Sequence, residues 1–372
     1  MGKNTSGFKN SILKFIRGEK PVQETFEHVN KPATLVYVSG TKGKTTVLNL
    51  VGHVLKENGC DFMWNISKEN RIEPVASVLR SGKSVSGQIG CGLALMEVDE
   101  KDIVELFEKM TPDILVYTNI YAGYWNQKGR MDSVENDVDM SVFESAKLIS
   151  GGNGYEIVSV DAENETFVLK IEDSMESYRL LGPTKADIND EAVAIMLLYQ
   201  LGMSYMQISE GLKSAEKLTV CRHVDTVGHW KVYMCHGEEQ SPAVCSHVLE
   251  WIGKQRDDCA VVLMDYNQQE QVRASENTAW LYEVDYEPLK RSGVRQVVTA
   301  GNRCYDYWVR LLLADINEER ITCAFHPEDV VKLVDIEDVD NIYIIYGQGT
   351  GAKAKEIKEH LLQRIMKEGG IK

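Results

Sequence analysis

The chain has 372 residues, 43% of them hydrophobic, with 41 Lys and Arg against 56 Asp and Glu for a net charge of −15. That length gives room for two domains with cores of their own. The acidic balance disfavours nucleic acid, which needs a basic surface, and anionic membranes; no apolar run reaches the length of a transmembrane segment. Residues 1–34 are basic and weakly amphipathic, lack the apolar core and cleavage site of a signal peptide, and read as an N-terminal extension.

An apolar run, Leu35, Val36, Tyr37 and Val38, predicts a strand that ends in Ser39-Gly40-Thr41-Lys42-Gly43-Lys44-Thr45-Thr46. Val47, Leu48, Leu50, Val51, Val54 and Leu55 then recur at helical spacing. Strand, glycine loop and helix in that order form a phosphate cradle. Glycines let the backbone curl around an anion, and the helix start offers unpaired N–H groups and the positive end of its dipole. In such a loop Lys44 reaches the terminal phosphates of ATP and Thr45 offers its hydroxyl to Mg²⁺. The spacing G-T-x-G-K-T-T differs from the general P-loop, which needs a glycine where Val38 stands.

Residues 61–88 show little periodicity. Residues 91–98 read as a buried strand, 104–110 as a helix, 114–118 as a strand, 121–132 as a loop and 141–149 as a helix. A strand pair is predicted at 156–160 and 166–171, and helices at 190–201 and 205–215. The alternation implies a parallel, doubly wound sheet over residues 35–218. A second alternation fills residues 219–372, with strands at 232–234, 260–264, 296–299 and 342–346 and helices at 242–253, 305–313, 327–334 and 352–365. Gly301 marks a strand-to-helix turn, and Gly347, Gly349 and Gly351 form a late glycine loop. The fold class is α/β, in two domains. Ligands of such sheets gather at the carboxyl ends of the strands, so the expected site is the cleft between the domains.

The eight cysteines show no C-x-x-C pair, which predicts reduced thiols and a cytoplasmic location. Cys221, His223, His229, Cys235, His236, Cys245 and His247 fall within 27 residues, but the strand-like alternation there favours buried structural cysteines over a metal site.

The loop G-T-K-G-K-T-T resembles that of the Mur ligase superfamily, G-T-N-G-K-T-T, whose members make amide bonds with ATP. Further blocks resemble its MurT subgroup, the synthetase subunit of lipid II isoglutaminyl synthase, in segments over roughly residues 35 to 350. NISKEN (residues 65–70) keeps both asparagines and the serine of N-x-S-G-A-N, and MEVDE (residues 96–100) matches E-V-D-E. A carboxylate ending the strand beside a P-loop strand is placed to ligate a metal or its water, so Glu97 joins Thr45 as the expected Mg²⁺ ligand. Asn119 lies in the matching strand YTNI (residues 117–120). The box that follows departs from the subgroup: Gly123, Tyr124 and Asn126 stand where Mur-type enzymes place acids, Gln or His. GPTKADIN keeps Gly182 and Asn189 of G-x-Y-N-x-x-N but has Ala186 at the first asparagine. Arg222 survives from the hinge motif G-R-x-E, where it clamps a phosphate or forms a structural salt bridge.

Residues 277–287, NTAWLYEVDYE, resemble D-x-S-W-[IL]-W-D-V-D-[FY]-E, and residues 301–311, GNRCYDYWVRL, resemble G-x-R-A-x-D-x-x-x-R-L. These two blocks separate MurT from general Mur ligases. The resemblance implies a Mur-type central ATPase domain followed by a smaller Rossmann-like domain, with nucleotide held by Gly40, Thr41, Lys42, Gly43, Lys44, Thr45, Thr46, Asn119, Asn189 and Arg222. It implies activation of a peptidoglycan stem glutamate as an acyl phosphate, with Lys44 and Glu97 catalytic, and amidation by ammonia from a partner glutaminase. In the subgroup this second domain lends an aspartate to the partner's Cys-His pair; Glu283 is the nearest position here, with Asp285 the second choice. The N-terminal uridine-nucleotide domain of other Mur ligases and the zinc ribbon common in MurT are not expected. The alternatives are an amino-acid ligase of Mur or poly-γ-glutamate type, or a catalytically degenerate nucleotide-binding scaffold, as the altered 123–129 box suggests.

Overall fold

The computed structural model describes residue 26 and residues 29–40, 42–66, 72–118, 124–125, 131–132, 143, 145–150, 154–218, 220–221, 223–237, 242–265, 279–347 and 349–368. The chain divides into two compact units. The first holds Met1–Tyr121, Val134–Leu181 and Lys185–Lys217; the second holds Ala122–Ser133, Gly182–Thr184 and Leu218–Lys372. No helix among the described residues is long and apolar enough to cross a membrane.

In the first unit β1 (Thr34–Ser39) leads through the glycine loop into α1 (Lys44–Glu57). Then come β2 (Met63–Trp64), α2 (Ile72–Ser81), β3 (Leu93–Glu97), α3 (Ile103–Lys109) and β4 (Ile114–Tyr117). The short antiparallel pair β5 (Tyr124–Trp125) and β6 (Met131–Asp132) falls in the segment predicted as loop. After β7 (Lys147–Ser150) come β8 (Tyr155–Asp161), β9 (Thr166–Ile171) and β10 (Ser174–Arg179), an antiparallel three-stranded sheet. The helices α4 (Lys185–Gln200) and α5 (Tyr205–Lys213) close the unit.

The main sheet is all parallel, in the order β2-β3-β1-β4-β7. Side chains alternate across it. Leu35 and Tyr37 of β1 join Ala94, Met96, Leu115, Val75 and Leu106 in one core layer. Val36 and Val38 face the other way and are as fully buried. α1 packs on α4 and α5; a Cβ on Gly211 of α5 would meet the Val54 backbone at 3.2 Å, so a small residue lets the helices approach.

Two expectations are corrected here. Residues 147–149, predicted as the end of a helix, lie in β7, whose backbone pairs with β4. A short apolar stretch takes its conformation from an available sheet edge more than from its own propensity. The weakly periodic 61–88 segment contains α2, with Ile72, Val75, Ala76 and Leu79 buried along one face.

The second unit is a six-stranded sheet in the order β11-β12-β16-β13-β14-β15. Its elements are β11 (His223–Val227), β12 (Trp230–His236), α6 (Pro242–Gly253), β13 (Cys259–Asp265), α7 (Ala279–Glu283), β14 (Val294–Gly301), α8 (Cys304–Leu313), β15 (Ile321–Ala324), α9 (Pro327–Leu333), β16 (Asn341–Tyr346) and α10 (Gly351–Glu368). Only β11 runs antiparallel. Cys259, Val261 and Leu263 of β13 face a layer built with α6, α7 and α8, whereas Ala260, Val262 and Met264 face α9 and α10.

The reduced-thiol expectation is corrected for one pair: Cys221 and Cys235 form a disulfide, with their Cα atoms 4.6 Å apart. The Gly228-His229 turn folds β11 back on β12 and returns Cys221 to Cys235. No group of three or more His, Cys, Asp or Glu residues is arranged to hold a metal among the described residues.

Leu263 is 1% exposed at the centre of the second sheet. Leu263→Ala is expected to cost about 2–5 kcal/mol through lost burial and the cavity left behind. Chemical denaturation checks this; a loss under half a kilocalorie would mean that layer is not close-packed.

Candidate active site

The carboxyl ends of three adjacent strands set the site. β1 lies between β3 and β4 in parallel register, with Val38 beside Glu97 and Ser39 beside Tyr117. The glycine loop leaves β1 at that edge. Gly40 has φ 127° and Gly43 φ 88°, a region L side chains avoid, so these two positions need glycine to make the turn. Gly43 caps α1 with no side-chain hydrogen bond, leaving the first N–H groups of the helix to other acceptors.

Glu97 ends β3, 5% exposed. Thr45 Oγ1, in the first turn of α1, donates to Glu97 Oε2 at 2.9 Å. Asn65 grips the Glu97 backbone from both sides: its Nδ2 donates to Glu97 O at 2.8 Å, and its Oδ1 accepts from Glu97 N at 2.7 Å. The Lys44 ammonium donates to Gly40 O and lies 3.3 Å from Glu100 Oε2. From the other side Thr118 Oγ1 donates to Lys42 O, and Thr118 N to Ser39 O at 3.0 Å, tying the loop to the end of β4.

The start of α4 completes the wall. Asn189 Nδ2 donates to Thr118 O at 3.2 Å, while its Oδ1 accepts from Tyr155 OH at 2.9 Å. Glu191 accepts from Leu181 N at 3.0 Å. Asp190 is 5% exposed, and its Oδ1 is a buried oxygen without a hydrogen-bond partner. A Cβ on Gly43 would lie 2.3 Å from that oxygen. Burial pushes the Asp190 carboxyl up from 3.8 to about 7; Asp187 adds to the rise and Lys42 opposes it.

The structure thus gathers Gly40, Lys42, Gly43, Lys44, Thr45, Thr46, Glu97 and Asn189 at one edge of the first sheet. Thr41, Asn119 and Arg222 lie outside the described residues, as does most of the 123–129 box. Glu283 and Asp285 belong to the second unit. Both are exposed, on either side of Val284. Asp285 N donates to Ser246 Oγ at 2.9 Å. A shared hydrogen bond with Glu287 raises the Asp285 carboxyl and lowers that of Glu287. Arg310 fixes this segment, donating to Tyr282 O and Val284 O.

Sequence reasoning gave Asp190 no role. A signal existed: Asp187, Asn189, Asp190 and Glu191 crowd the start of a helix that then runs apolar from Ala192 to Leu198. Polar groups on a face that must be buried are there for a partner.

The donor set is all oxygen, the Thr45 hydroxyl beside the Glu97 carboxylate, which suits a hard divalent cation such as Mg²⁺. Residues 239–348 match the family MurT ligase C-terminal. The MurT subunit of lipid II isoglutaminyl synthase (glutamine-hydrolyzing) from Staphylococcus aureus strain COL is 20% identical over 354 residues, covering 76% of this chain and 78% of that protein. MurF from Acinetobacter baumannii superposes with a TM-score of 0.66 at 12% identity, covering 92% of this chain and 79% of the other. MurF ligase from Thermotoga maritima, in complex with ADP, gives 0.64 at 14% identity, covering 93% and 84%.

Two outcomes check the site's geometry. Gly43→Ala is expected to cost about 1–3 kcal/mol in a melt, because an L residue is strained at φ 88° and its methyl would strike Asp190. An unchanged melting temperature would contradict this turn. The second outcome is a pH dependence. Between about pH 4 and 7 the folded chain holds a proton on Asp190 that the unfolded chain has lost, so this group's contribution to stability falls as pH rises through that window. The stability gained by Asp190→Asn should therefore be larger at pH 8 than at pH 5 in denaturant titrations; parallel curves would contradict the burial of an isolated carboxyl.

A fold like that of the Mur ligases and a C-terminal sequence similar to that of MurT meet in one polypeptide.

Proposed function

We propose that the chain is an ATP-dependent carbon–nitrogen ligase that activates a carboxylate as its acyl phosphate. The observation that carries this reading is the edge of the first sheet, where a glycine loop, Lys44 and the Thr45–Glu97 pair converge. Lys44 exchanges its contacts with Gly40 O and Glu100 for the β and γ phosphates, and the first N–H groups of α1 receive the same oxygens. Thr45 and Glu97 hold Mg²⁺, which neutralises phosphate charge when bound. Asn65 keeps Glu97 at its station, and Asn189 fixes the end of β4 beside the loop. Catalysis in such a site is positioning and charge neutralisation.

The finer reading is MurT-like amidation of a peptidoglycan stem glutamate in the cytoplasm, with ammonia from a partner glutaminase. Its support is the match over residues 239–348 and the second unit's surface. The exposed carboxylates Glu283 and Asp285 adjoin α8, through Arg310. The outer face of α8 carries Tyr305 at 61% exposure and Leu313 at 68%. An exposed carboxylate on a fixed backbone, in a unit that also exposes apolar side chains, suits docking of a protein whose histidine needs orienting. A catalytically degenerate nucleotide-binding scaffold is the second reading, favoured by the acid-poor 123–129 sequence.

Calorimetric titration with a non-hydrolysable ATP analogue tests the shared core of both. Binding is expected to depend on Mg²⁺, and Lys44→Ala should abolish it while leaving the melting transition in place. Unchanged affinity in that variant would remove the phosphate-loop assignment. Phosphate release in the presence of a glutamyl peptide and ammonia separates the ligase from the scaffold.

A further inference from the structure

Asp190 is the buried acid that the proposed chemistry leaves unused. Its carboxyl lies against Gly43, the residue that opens α1, and its Oδ1 meets no hydrogen-bond donor. The N–H groups of Lys44, Thr45 and Thr46 follow at once in the same turn. A phosphate seated on that helix start and an ionised Asp190 would be two anions sharing one positive pole, and burial keeps water from screening Asp190.

The surrounding charges do not relieve this. Asp187, from the same helix, adds negative charge, and Lys42 from the loop is the cation that acts against it. Lys44 is engaged by Gly40 O and Glu100, and Glu191 by Leu181 N. Asn189 and Tyr155, which bond to each other beside it, are neutral. A neutral Asp190 removes the conflict.

We propose that Asp190 gates the phosphate loop through its protonation state, the neutral carboxyl admitting a nucleotide polyphosphate and the carboxylate opposing it. The gate rests on the reading of this loop as a nucleotide site. Burial sets its midpoint in the neutral range, because it pushes this carboxyl up to about 7. Asp190 is a positioning residue: it acts on the loop that receives phosphate, and it couples nucleotide binding to proton uptake.

The test uses the full chain and the Mg²⁺ complex of a non-hydrolysable ATP analogue, titrated by calorimetry at pH 6.0 and pH 8.5. Wild-type affinity is expected to weaken about tenfold between these pH values. Asp190→Asn should bind about equally at both. The analogue's own titration is common to both proteins and cancels in the comparison. A measurement without any variant runs beside it: at pH 8, titration in two buffers of different ionisation heat should show the wild type taking up a proton on binding. Should Asp190→Asn fail to fold, Asp190→Ala takes its place. Equal pH dependence in wild type and variant, or binding without proton uptake, overturns the gate and leaves the nucleotide site standing. No binding at either pH, in wild type or variant, overturns both.

Discussion

The parallel register of β1 between β3 and β4 is the constraint on which the site depends. It brings Ser39, Glu97 and Tyr117 to one edge, and every contact at the loop follows from that alignment. A shift of one residue in β3 would turn Glu97 into the sheet face and put Met96 or Val98 beside Thr45. The register is protected by burial. Leu35, Tyr37, Ala94 and Met96 fill one core layer, and slipping would push them toward the opposite face. Close packing of two strands buried on both faces thus fixes the 2.9 Å contact between a hydroxyl and a carboxylate.

Burying so many polar groups at this edge is costly unless each is bonded. Most are. Asn65 satisfies both backbone groups of Glu97, and Thr118 secures the loop through Lys42 O and Ser39 O. Asn189 links β8 to the end of β4. Asp190 breaks the pattern, and the local consequence is a carboxyl held up near neutrality. Polar groups left incompletely satisfied cluster where a protein does something beyond folding.

The strand, glycine turn and helix were legible in the sequence because all their information is local: an apolar run, two glycines at fixed spacing and an apolar helix within 24 residues of Leu35. Most sheet strands of the second unit were legible for a similar reason, their continuous Val, Ile and Leu runs marking strands buried on both faces. What stayed hidden depends on distant partners. Lys147–Ser150 pairs with β4 across more than 25 residues, and nothing in the segment itself announces that edge. The Cys221–Cys235 bond needs the Gly228-His229 turn, a two-residue loop between Val227 and Trp230 that gives a faint hairpin signal. Asp190 looks like an ordinary helix-start acid, a favourable choice in the first turn; only the packing of α4 against α1 turns it into a buried group facing Gly43.

The second unit solves the opposite electrostatic problem, that of holding a carboxylate outward without letting it wander. Arg310 does so from α8. Its guanidinium donates to Tyr282 O and Val284 O, lies 5.1 Å from the Tyr286 ring centre and 3.6 Å from Glu287. A planar, permanently charged fork that satisfies two backbone carbonyls and stacks on a ring fixes the chain path through Glu283 and Asp285. Val284 and Tyr286, fully buried on alternate positions, anchor the same stretch from below. The side chain of Glu283 is therefore exposed while its backbone is pinned. A fixed backbone limits the entropy a side chain loses on meeting a binding partner. Glu97 and Glu283 carry the same chemical group into two environments: one buried against a threonine hydroxyl, the other presented to solvent.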